Sequence, residues 1–386
     1  MKIGIDARWI FRESSGIGVY TRELLRQLAL ADLQNEYTVF FSDAAVKDSL
    51  ADELTAGVNF RASLLDFGPF SARNQLRLPA IIRQLGLDVF HSTNYMIPLM
   101  AFPRNHSGKT ACVINIHDLI PLVFPKATPR ALKTRLFPVY RRLMKEVVAR
   151  SSLIITASKS ARDDIVTCLR GRPGRIEIIP DGVSAAFRRA RPDLAPAHDP
   201  RLSRRQKIIL WVGRRDPYKN LAGLIEAFAM LRKNYRGPLE LRLVGADDPR
   251  YPECPRLVEK LGIADAVTWT GHVTEKELVA EYLNANLFVL PSLYEGFGLP
   301  VLEAFACGTP VVCSNKSSLP EICGKAALQV DPRDTRGLCE AMRRVLTDSR
   351  LASELIARGL EQSAGYSWRE TARRTILAYE KAAALK

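Results

Sequence analysis

Residues 291–312 read PSLYEGFGLPVLEAFACGTPVV, and they join the end of an apolar strand to a glycine loop and a helix. The run LFVLP at 287–291 has the continuous apolar character of a buried strand. Pro300 suits the first turn of the following helix, because proline lacks the amide that would be unpaired there. A strand, a loop and a helix in this order predict one unit of a parallel α/β sheet, with the loop at the carboxyl edge of the sheet.

The same alternation of strand-like and helical segments extends over the rest of the chain. The strand-like runs of the first half are KIGIDARWI, YTVFFSD, LDVFHS, ACVINIHD, SLIITAS and IEIIPDG. Those of the second half are QKIILWVG, LELRLVG, VTWTG, LFVLPS and TPVVCS. The helical segments between these runs predict parallel β-α-β units in both halves.

A break in this pattern divides the chain into two predicted domains. Residues 187–206 carry three prolines, many arginines and no apolar periodicity, which indicates a linker. We predict a first Rossmann-like domain over 1–190, a linker over 191–206 and a second Rossmann-like domain over 207–365. We expect the helical tail over 366–386 to pack back on the first domain. Two doubly wound domains of this α/β class would direct their strand carboxyl ends toward a central cleft.

Composition narrows the class of protein. The chain has 386 residues, 47% of them hydrophobic, and its apolar runs are far shorter than the ~20 residues of a membrane span. Its seven cysteines form no C-x-x-C pair and no histidine lies at zinc-ligand spacing, so we expect reduced thiols and no metal site. The 56 basic and 41 acidic residues give a net charge of +15, which favours anionic partners. No secretory signal follows Met1, so we expect a cytoplasmic location.

The loop within 291–312 has the residue types of a phosphate and sugar site. Free amides and the helix dipole attract phosphate at a helix amino end, and glycines at 296 and 298 let a ligand approach the main chain. Glu295 and Glu303, which lies about one helical turn inside, can both accept hydrogen bonds from hydroxyl groups. Carboxylates beside a phosphate site favour a sugar over a second anion. A tight turn with two solvent-facing glutamates is the structural alternative.

The segment EGFGLPVLE at 295–303 resembles the Glu, seven residues, Glu motif of retaining glycosyltransferases of family 4, and the flanking CGTPVV and LPEICGKAALQVDP also match. The resemblance implies the two-domain GT-B fold and a nucleotide-sugar donor, with no metal and no further cofactor. It implies that the first domain, 1–190, binds the acceptor and that the second, 207–365, binds the nucleotide sugar. It implies that Glu295 contacts the donor sugar and that Glu303 holds the nucleotide ribose. It assigns the sugar and the diphosphate to the loop residues Gly296, Phe297, Gly298 and Leu299.

A basic pair follows the first strand of the second domain, in VGRRDPYKN at 212–220. A nucleoside diphosphate leaving group requires such charges, because charge-assisted hydrogen bonds stabilise the departing phosphate. A solvated basic loop is the alternative. The resemblance maps the arginine and lysine of the family onto Arg214 and Lys219, and the adjacent Arg215 leaves open which arginine acts.

Near the amino terminus, ESSGIGVYTRELLRQL follows the first strand and predicts a glycine loop with Gly16 and Gly18 before a helix. A dinucleotide fingerprint would need a third glycine where Thr21 stands, which argues against a dehydrogenase. The family has a glycine loop here against the donor diphosphate and the acceptor, so the resemblance gives Gly16 and Gly18 that role. A tight turn between strand and helix is the alternative.

Histidines complete the predicted site. His117 ends the strand-like run ACVINIHD, and the resemblance implies that it touches the donor sugar. By the same resemblance His272 and Val273, in TGHVT, belong to a loop that covers the nucleotide base. His91, in VFHSTN, either lines the acceptor side or packs in the core.

Residues 126–150, KATPRALKTRLFPVYRRLMKEVVAR, carry eight basic residues and one acidic residue among apolar ones. A basic amphipathic segment favours an anionic membrane surface or an anionic acceptor, and an exposed helix pair with a solvated basic face is the alternative. We therefore add the hypothesis of peripheral attachment to the inner face of the plasma membrane. Nucleic acid is not expected, because no helix-turn-helix, zinc-finger or RNA-binding motif accompanies the charge.

These features predict a metal-independent, retaining glycosyltransferase that moves a hexose to a hydroxyl of a saccharide or lipid-linked saccharide in cell-surface polysaccharide assembly. The segments VGRRDPYKN, HDLIP and PSLYEGFGLPVLEA resemble GDP-mannose-dependent mannosyltransferases, which implies GDP-mannose as the donor. A transferase that uses a UDP-sugar would share every motif. A nucleic-acid-binding or regulatory module and a sugar-nucleotide epimerase are the remaining alternatives.

Overall fold

The structure is a computed structural model that describes residues 1–11, 15–54, 59–125, 136–189 and 206–385. The predicted linker thus lies almost wholly outside the described residues, as does the first part of the basic segment. The strands of the described residues are β1 Lys2–Asp6, β2 Glu36–Phe41, β3 Phe60–Leu64, β4 Val89–Ser92, β5 Ala111–Asn115, β6 Leu153–Thr156, β7 Ile176–Ile178, β8 Lys207–Val212, β9 Leu239–Val244, β10 Val267–Gly271, β11 Leu287–Leu290, β12 Val311–Ser314 and β13 Ala327–Val330.

Helices follow most of these strands. Those of the described residues are α1 Gly16–Ala31, α2 Ala44–Leu54, α3 Ala72–Leu76, α4 Leu78–Gln84, α5 Ile120–Val123, α6 Phe137–Arg150, α7 Lys159–Leu169, α8 Ala185–Arg189, α9 Leu221–Asn234, α10 Glu253–Lys260, α11 Glu275–Asn284, α12 Leu299–Ala306, α13 Leu319–Cys323, α14 Thr335–Thr347, α15 Ser349–Ala364 and α16 Trp368–Ala384. Among the helices described, none is long and apolar enough to cross a membrane.

The strands form two sheets. The first has the order β3-β2-β1-β4-β5-β6-β7 and the second β10-β9-β8-β11-β12-β13. Every described pairing is parallel, as where Ile3 lies opposite Tyr37 of β2 on one side and Val89 of β4 on the other. The strand order reverses between β1 and β4 in the first sheet and between β8 and β11 in the second. The prediction of two doubly wound, Rossmann-like α/β units is confirmed.

Two edge strands were missed by the sequence analysis. β3 has the sequence FRASL, with three of its five residues exposed, and β13 has the four residues ALQV. Both lie at the edge of a sheet, where a strand pairs with only one neighbour and is only partly buried. Neither run therefore has the continuous apolar character that identified the central strands.

The chain divides into two compact units. Among the described residues, the N-terminal unit comprises 1–123, 136–182 and 367–385, and the C-terminal unit comprises 124–125 and 183–366. The boundary after 182 precedes the predicted end of the first domain at 190.

The last helix, α16, belongs to the N-terminal unit. Tyr379 and Ala382 of α16 share a core with Leu24 and Leu28 of α1 and with Ile5 of β1. This contact is apolar and buried, so it accounts for the apolar spacing in the last helix.

Gly182 lies directly against the first residue of α16. A Cβ at this position would lie 2.1 Å from the backbone nitrogen of Trp368, so only glycine permits the approach of the two segments. Thr371 fixes the same junction, since its Oγ1 donates a hydrogen bond to the Pro180 carbonyl at 2.8 Å. The C-terminal unit has its own core, in which Trp211, Phe228, Leu287 and Met342 are buried.

Candidate active site

Two loops meet at the strand-order reversal of the C-terminal unit. One follows β8 and the other follows β11, and these are adjacent strands. The amide of Leu293 in the second loop donates a hydrogen bond to the carbonyl of Tyr218 in the first, at 2.7 Å. Ligands of doubly wound sheets bind at this kind of position, so both loops lie where a donor would be expected.

An ion pair links the two loops. Nζ of Lys219 lies 2.7 Å from Oε1 of Glu295, and the two side chains are only 12% and 9% exposed. The Ser292 hydroxyl donates to the same carboxylate oxygen at 2.6 Å. Sequence analysis assigned Lys219 to the diphosphate and Glu295 to the sugar, and it did not foresee that the two side chains bind each other.

The loop from Gly296 to Leu299 leads into α12. Gly298 has a φ of 115°, and a Cβ there would lie 2.7 Å from Cδ2 of Leu319. Glycine is therefore required for both conformation and space. The amides of Phe297, Gly298 and Leu299 have no hydrogen-bond partner among the described residues. Three amides at the positive end of a helix can bind an anion such as a diphosphate.

Glu303 lies one turn inside α12 and is nearly buried. The Tyr282 hydroxyl of α11 donates a hydrogen bond to its Oε2 at 2.9 Å. Burial raises the pKa of Glu303 from 4.5 to about 7, the Tyr282 bond opposes this rise, and the charge of Glu275 adds to it. Sequence analysis did not identify Tyr282.

The two arginines after β8 have different environments. Arg215 is only 8% exposed, stacks over the Trp269 ring at 4.3 Å and pairs with Asp247. The Arg214 side chain is 67% exposed, and its Nε lies 3.1 Å from the nearly buried Asp216 carboxylate. Arg215 is thus held by packing, whereas Arg214 can reach a ligand.

His272 and Val273 lie between β10 and α11. His272 is exposed and Val273 half-buried, and they precede the capping box that Thr274 and Glu277 form at the start of α11. The capping box fixes where the helix begins. Because the loop follows β10, it lies at the carboxyl edge of the second sheet.

Gly16 and Gly18 lie in the first turn of α1 rather than in a loop before it. The amide of Gly18 donates to the Ser15 hydroxyl at 3.1 Å, as expected of an N-cap serine. The Gly18 amide is therefore already bonded, while Gly16 is exposed.

His117 lies just beyond β5 and is half-buried. Its Nε2 is 3.0 Å from the Thr93 carbonyl, and its ring meets that of Tyr20 edge-on at 4.8 Å. The carbonyl requires a proton on Nε2, which leaves Nδ1 as an acceptor. Burial lowers the pKa of His117 from its usual 6.5, which favours the neutral ring.

His91, by contrast, is buried between the Tyr379 hydroxyl at 2.7 Å and Oδ1 of Asn115 at 2.6 Å. Both of its ring nitrogens are occupied. The packing interpretation of His91 is therefore the one that fits the structure.

All seven cysteines are free. Sγ of Cys313 and Sγ of Cys323 are 3.3 Å apart, a thiol contact rather than a covalent bond. Over the part of the chain that the structure describes, no group of three His, Cys, Asp or Glu side chains could hold a metal ion.

Two family models match the chain. "Glycosyltransferase Family 4" matches residues 14–187 and "Glycosyl transferases group 1" matches residues 197–362. A D-inositol 3-phosphate glycosyltransferase from Frankia alni is 30% identical over 96% of this chain and 95% of its own length. The chain belongs to glycosyltransferase family 4. The predicted family is confirmed.

Further relatives are named as mannosyltransferases. O-antigen chain mannosyltransferase B from Escherichia coli is 29% identical over 98% of this chain and 100% of its own length. Serotype-specific mannosyltransferase WbdA from Escherichia coli is 32% identical over 77% of this chain, which spans only 36% of that longer protein. This glycosyltransferase is thus similar in sequence to mannosyltransferases of O-antigen assembly.

Solved structures establish the fold. Sucrose-phosphate synthase from Thermosynechococcus elongatus aligns with a TM-score of 0.73 at 22% identity, covering 98% of each chain. WaaG, a glycosyltransferase of lipopolysaccharide biosynthesis, aligns with a TM-score of 0.70 at 17% identity, covering 97% of this chain and 98% of its own. The glycosyltransferase therefore has the predicted GT-B fold, and glycosyltransferases of this fold use nucleotide-sugar donors.

Proposed function

We propose that this glycosyltransferase moves mannose from GDP-mannose, with retention of configuration, to a hydroxyl of a saccharide or lipid-linked saccharide in cell-surface polysaccharide assembly. The observation that carries the proposal is the Lys219–Glu295 pair beside three free amides at the start of α12. Such a set offers a cation and amides to a diphosphate and a carboxylate to a sugar. The names of the mannosyltransferase relatives support the choice of sugar.

The roles within the C-terminal unit follow from the chemistry of each group. The diphosphate binds the amides of Phe297, Gly298 and Leu299 together with Lys219. Glu295 accepts hydroxyl hydrogen bonds from the sugar, and Glu303 accepts them from the ribose. As the bond between the sugar and the β-phosphate breaks, the cation and the helix end stabilise the charge that develops on the phosphate.

Arg214 is the second cation of this site, because Arg215 is already held by Trp269 and Asp247. The exposed Arg214 can turn toward a diphosphate by giving up or sharing its ion pair with the nearly buried Asp216. Two cations then neutralise the diphosphate, and metal ions are not needed. The departing phosphate oxygen takes the proton of the acceptor hydroxyl, so no protein carboxylate acts as the base.

Further contacts complete the proposal. Gly296, in the loop after β11, contacts the donor, and His272 and Val273, in the loop after β10, lie near the base. In the N-terminal unit, neutral His117 serves the donor sugar, and Gly16 and Gly18 admit the diphosphate and the acceptor. Because the Gly18 amide is bonded to Ser15, its contribution is close approach rather than an N–H donor.

A donor panel tests the proposal. GDP-mannose, GDP-fucose, UDP-glucose and UDP-N-acetylglucosamine are compared for binding by calorimetry and for nucleoside diphosphate release. We expect GDP-mannose to bind with the highest affinity and to be hydrolysed slowly without acceptor. Preference for a UDP-sugar would move the assignment to a UDP-dependent transferase. Conversion of the donor to its epimer without release of nucleotide would indicate an epimerase. Binding to DNA or RNA with no binding to any nucleotide sugar would exclude both the transferase and the epimerase.

Donor binding should strengthen as the pH rises through 7. Glu303 is half-ionised near pH 7, and the carboxylate accepts ribose hydroxyl bonds better than the neutral acid. From pH 6 to pH 8 the ionised fraction rises about tenfold, so the affinity for GDP should rise by up to about tenfold. The same shift means that the folded state keeps a proton between pH 4.5 and about 7, and this contribution to stability is lost as the pH rises through 7.

Calorimetry of GDP binding is the suitable measurement, because it reports the nucleotide contact of Glu303 without the other steps of turnover. Glu303→Gln removes the titrating group but keeps its shape, so its binding profile should keep only the pH dependence that the terminal phosphate of GDP contributes. An equal pH dependence in Glu303→Gln would assign the effect to another group.

Membrane attachment through the basic segment is a further part of the proposal. Its described portion is α6 with the residue before it, where Leu136 and Val139 are 51% and 65% exposed and Arg141 and Arg142 are also exposed. Each basic residue near an anionic bilayer contributes about 1 kcal/mol. Replacing Arg141, Arg142 and Lys145 with glutamine should therefore weaken binding to phosphatidylglycerol vesicles about 100-fold at low salt, as measured by sedimentation.

The matched control removes the same charge from the other unit, through Arg343→Gln, Arg344→Gln and Arg350→Gln, whose side chains are exposed. That variant should sediment almost like the wild type. Equal loss in both variants would mean a general effect of net charge. If the wild-type chain does not sediment with the vesicles, α6 presents a solvated basic face and the acceptor is soluble.

A further inference from the structure

We propose that Ser317 and Ser318, in the loop between β12 and α13, are positioning residues that orient the donor-binding loop 295–299. The inference rests on the proposed function, since it concerns how the proposed sugar and phosphate contacts are held in place. Neither serine belongs to the sequence motif. Both reach across from the neighbouring strand of the sheet, because β12 lies beside β11.

Ser318 holds two carbonyl groups of the loop. It is fully buried, and its Oγ lies 2.7 Å from the Phe297 carbonyl and 3.0 Å from the Glu295 carbonyl. In a trans peptide the C=O and the N–H point in opposite directions. With the Phe297 carbonyl turned toward Ser318, the amide of Gly298 is turned away from it. The hydroxyl of Ser318 thus determines the direction of one of the three amides offered to the diphosphate.

Ser317 acts on a different part of the same loop. Its Oγ accepts a hydrogen bond from the Glu295 amide at 2.7 Å, which fixes the backbone of the residue whose carboxylate pairs with Lys219. Ser317 itself has a φ of 51°, in the left-handed region that residues with a side chain rarely adopt. Such conformations persist where the surrounding structure enforces them, and they cluster at functional sites.

The two serines should therefore have separable effects. Ser318 governs amides that bind phosphate, so its loss should weaken the binding of a diphosphate and leave the binding of a nucleoside unchanged. Ser317 governs the carboxylate that binds the sugar, so its loss should lower turnover and leave GDP affinity unchanged. A role in folding alone would reduce all of these quantities together.

The first test compares Ser318→Ala with the wild type. We expect the Kd for GDP and the KM for GDP-mannose to rise at least tenfold, while the Kd for guanosine stays within twofold. Ser318→Thr keeps the hydroxyl and should restore most of the GDP affinity. Ser363→Ala is the matched control, because Ser363 is also buried and its hydroxyl also donates to a backbone carbonyl, that of Leu360 in α15.

The second test uses Ser317→Gly, which should fold because glycine prefers the left-handed conformation of this position. We expect kcat to fall at least fivefold, with the Kd for GDP within twofold of wild type. Unchanged GDP affinity in Ser318→Ala together with unchanged kcat in Ser317→Gly would overturn the inference and leave the proposed function intact. A wild-type chain that binds neither GDP nor UDP would overturn both.

Discussion

Glu295→Gln is expected to lower kcat by about 100-fold or more while the protein stays folded. Glutamine keeps the volume of the side chain and can still accept hydrogen bonds from Lys219 and Ser292, which now contact Oε1. It removes the negative charge and half of the acceptors available to the sugar hydroxyls. Loss of one preorganised polar contact in the transition state typically costs two to three orders of magnitude in rate. Initial rates of GDP release with GDP-mannose and an acceptor extract provide the measurement.

The Kd for GDP should change little in this variant, because GDP lacks the sugar that Glu295 binds. Glu354→Gln in α15 is the matched control, since the Glu354 side chain is 43% exposed and in the described structure pairs only with surface arginines. A kcat within threefold of the wild type in Glu295→Gln would remove Glu295 from the reaction. The retaining-transfer proposal would then lose its principal residue.

The sequence predicted the local elements of this site, because each is written in consecutive residues. A strand, two glycines and Pro300 define the loop and the start of α12, and the glutamate spacing places Glu303 one turn inside the helix. The doubly wound fold followed from the same logic, since apolar central strands alternate with helices. Of the described strands, the sequence analysis missed the edge strands β3 and β13, because partial burial weakens their apolar pattern.

Contacts between distant segments could not be predicted in the same way. The Lys219–Glu295 pair depends on β8 and β11 being neighbours and on the hydrogen bond between the Tyr218 carbonyl and the Leu293 amide. The sequence between these two loops contains no periodic pattern from which the pairing of β8 with β11 could be predicted. The choice between Arg214 and Arg215 likewise required the position of Trp269 two strands away.

Other features carried a signal that the analysis did not use. Ser317 and Ser318 stand directly after a predicted strand in TPVVCSNKSSLP, at the carboxyl edge where ligands bind. Ser15, just before Gly16, is a typical N-cap residue, which could have shown that α1 begins at the glycines and that the Gly18 amide is bonded. Tyr282 had no such signal, since its partner Glu303 lies on another helix.

Lys219→Ala should lower kcat by about 100-fold, because one charge-assisted contact to a departing phosphate in a water-poor site is worth about 3 kcal/mol. The substitution should also destabilise the folded protein, since it leaves the Glu295 carboxylate nearly buried without its cation. Rates of GDP release and the free energy of unfolding in urea measure the two effects. Lys233→Ala is the matched control and should change neither, because Lys233 is exposed at the end of α9, the helix that follows the Lys219 loop.

Double substitution separates the catalytic role of the pair from its structural role. Lys219→Ala with Glu295→Ala removes both charges, so the unfolding free energy should fall by less than the sum of the single losses, with a coupling of about 1–3 kcal/mol. If the two residues act on one transition state, the rate losses should also fall short of additive. Chelators should leave the wild-type rate unchanged, because two cationic side chains rather than a metal ion neutralise the diphosphate in this proposal. Strict dependence on magnesium or manganese, with a near-normal rate in Lys219→Ala, would instead assign that neutralisation to a metal ion.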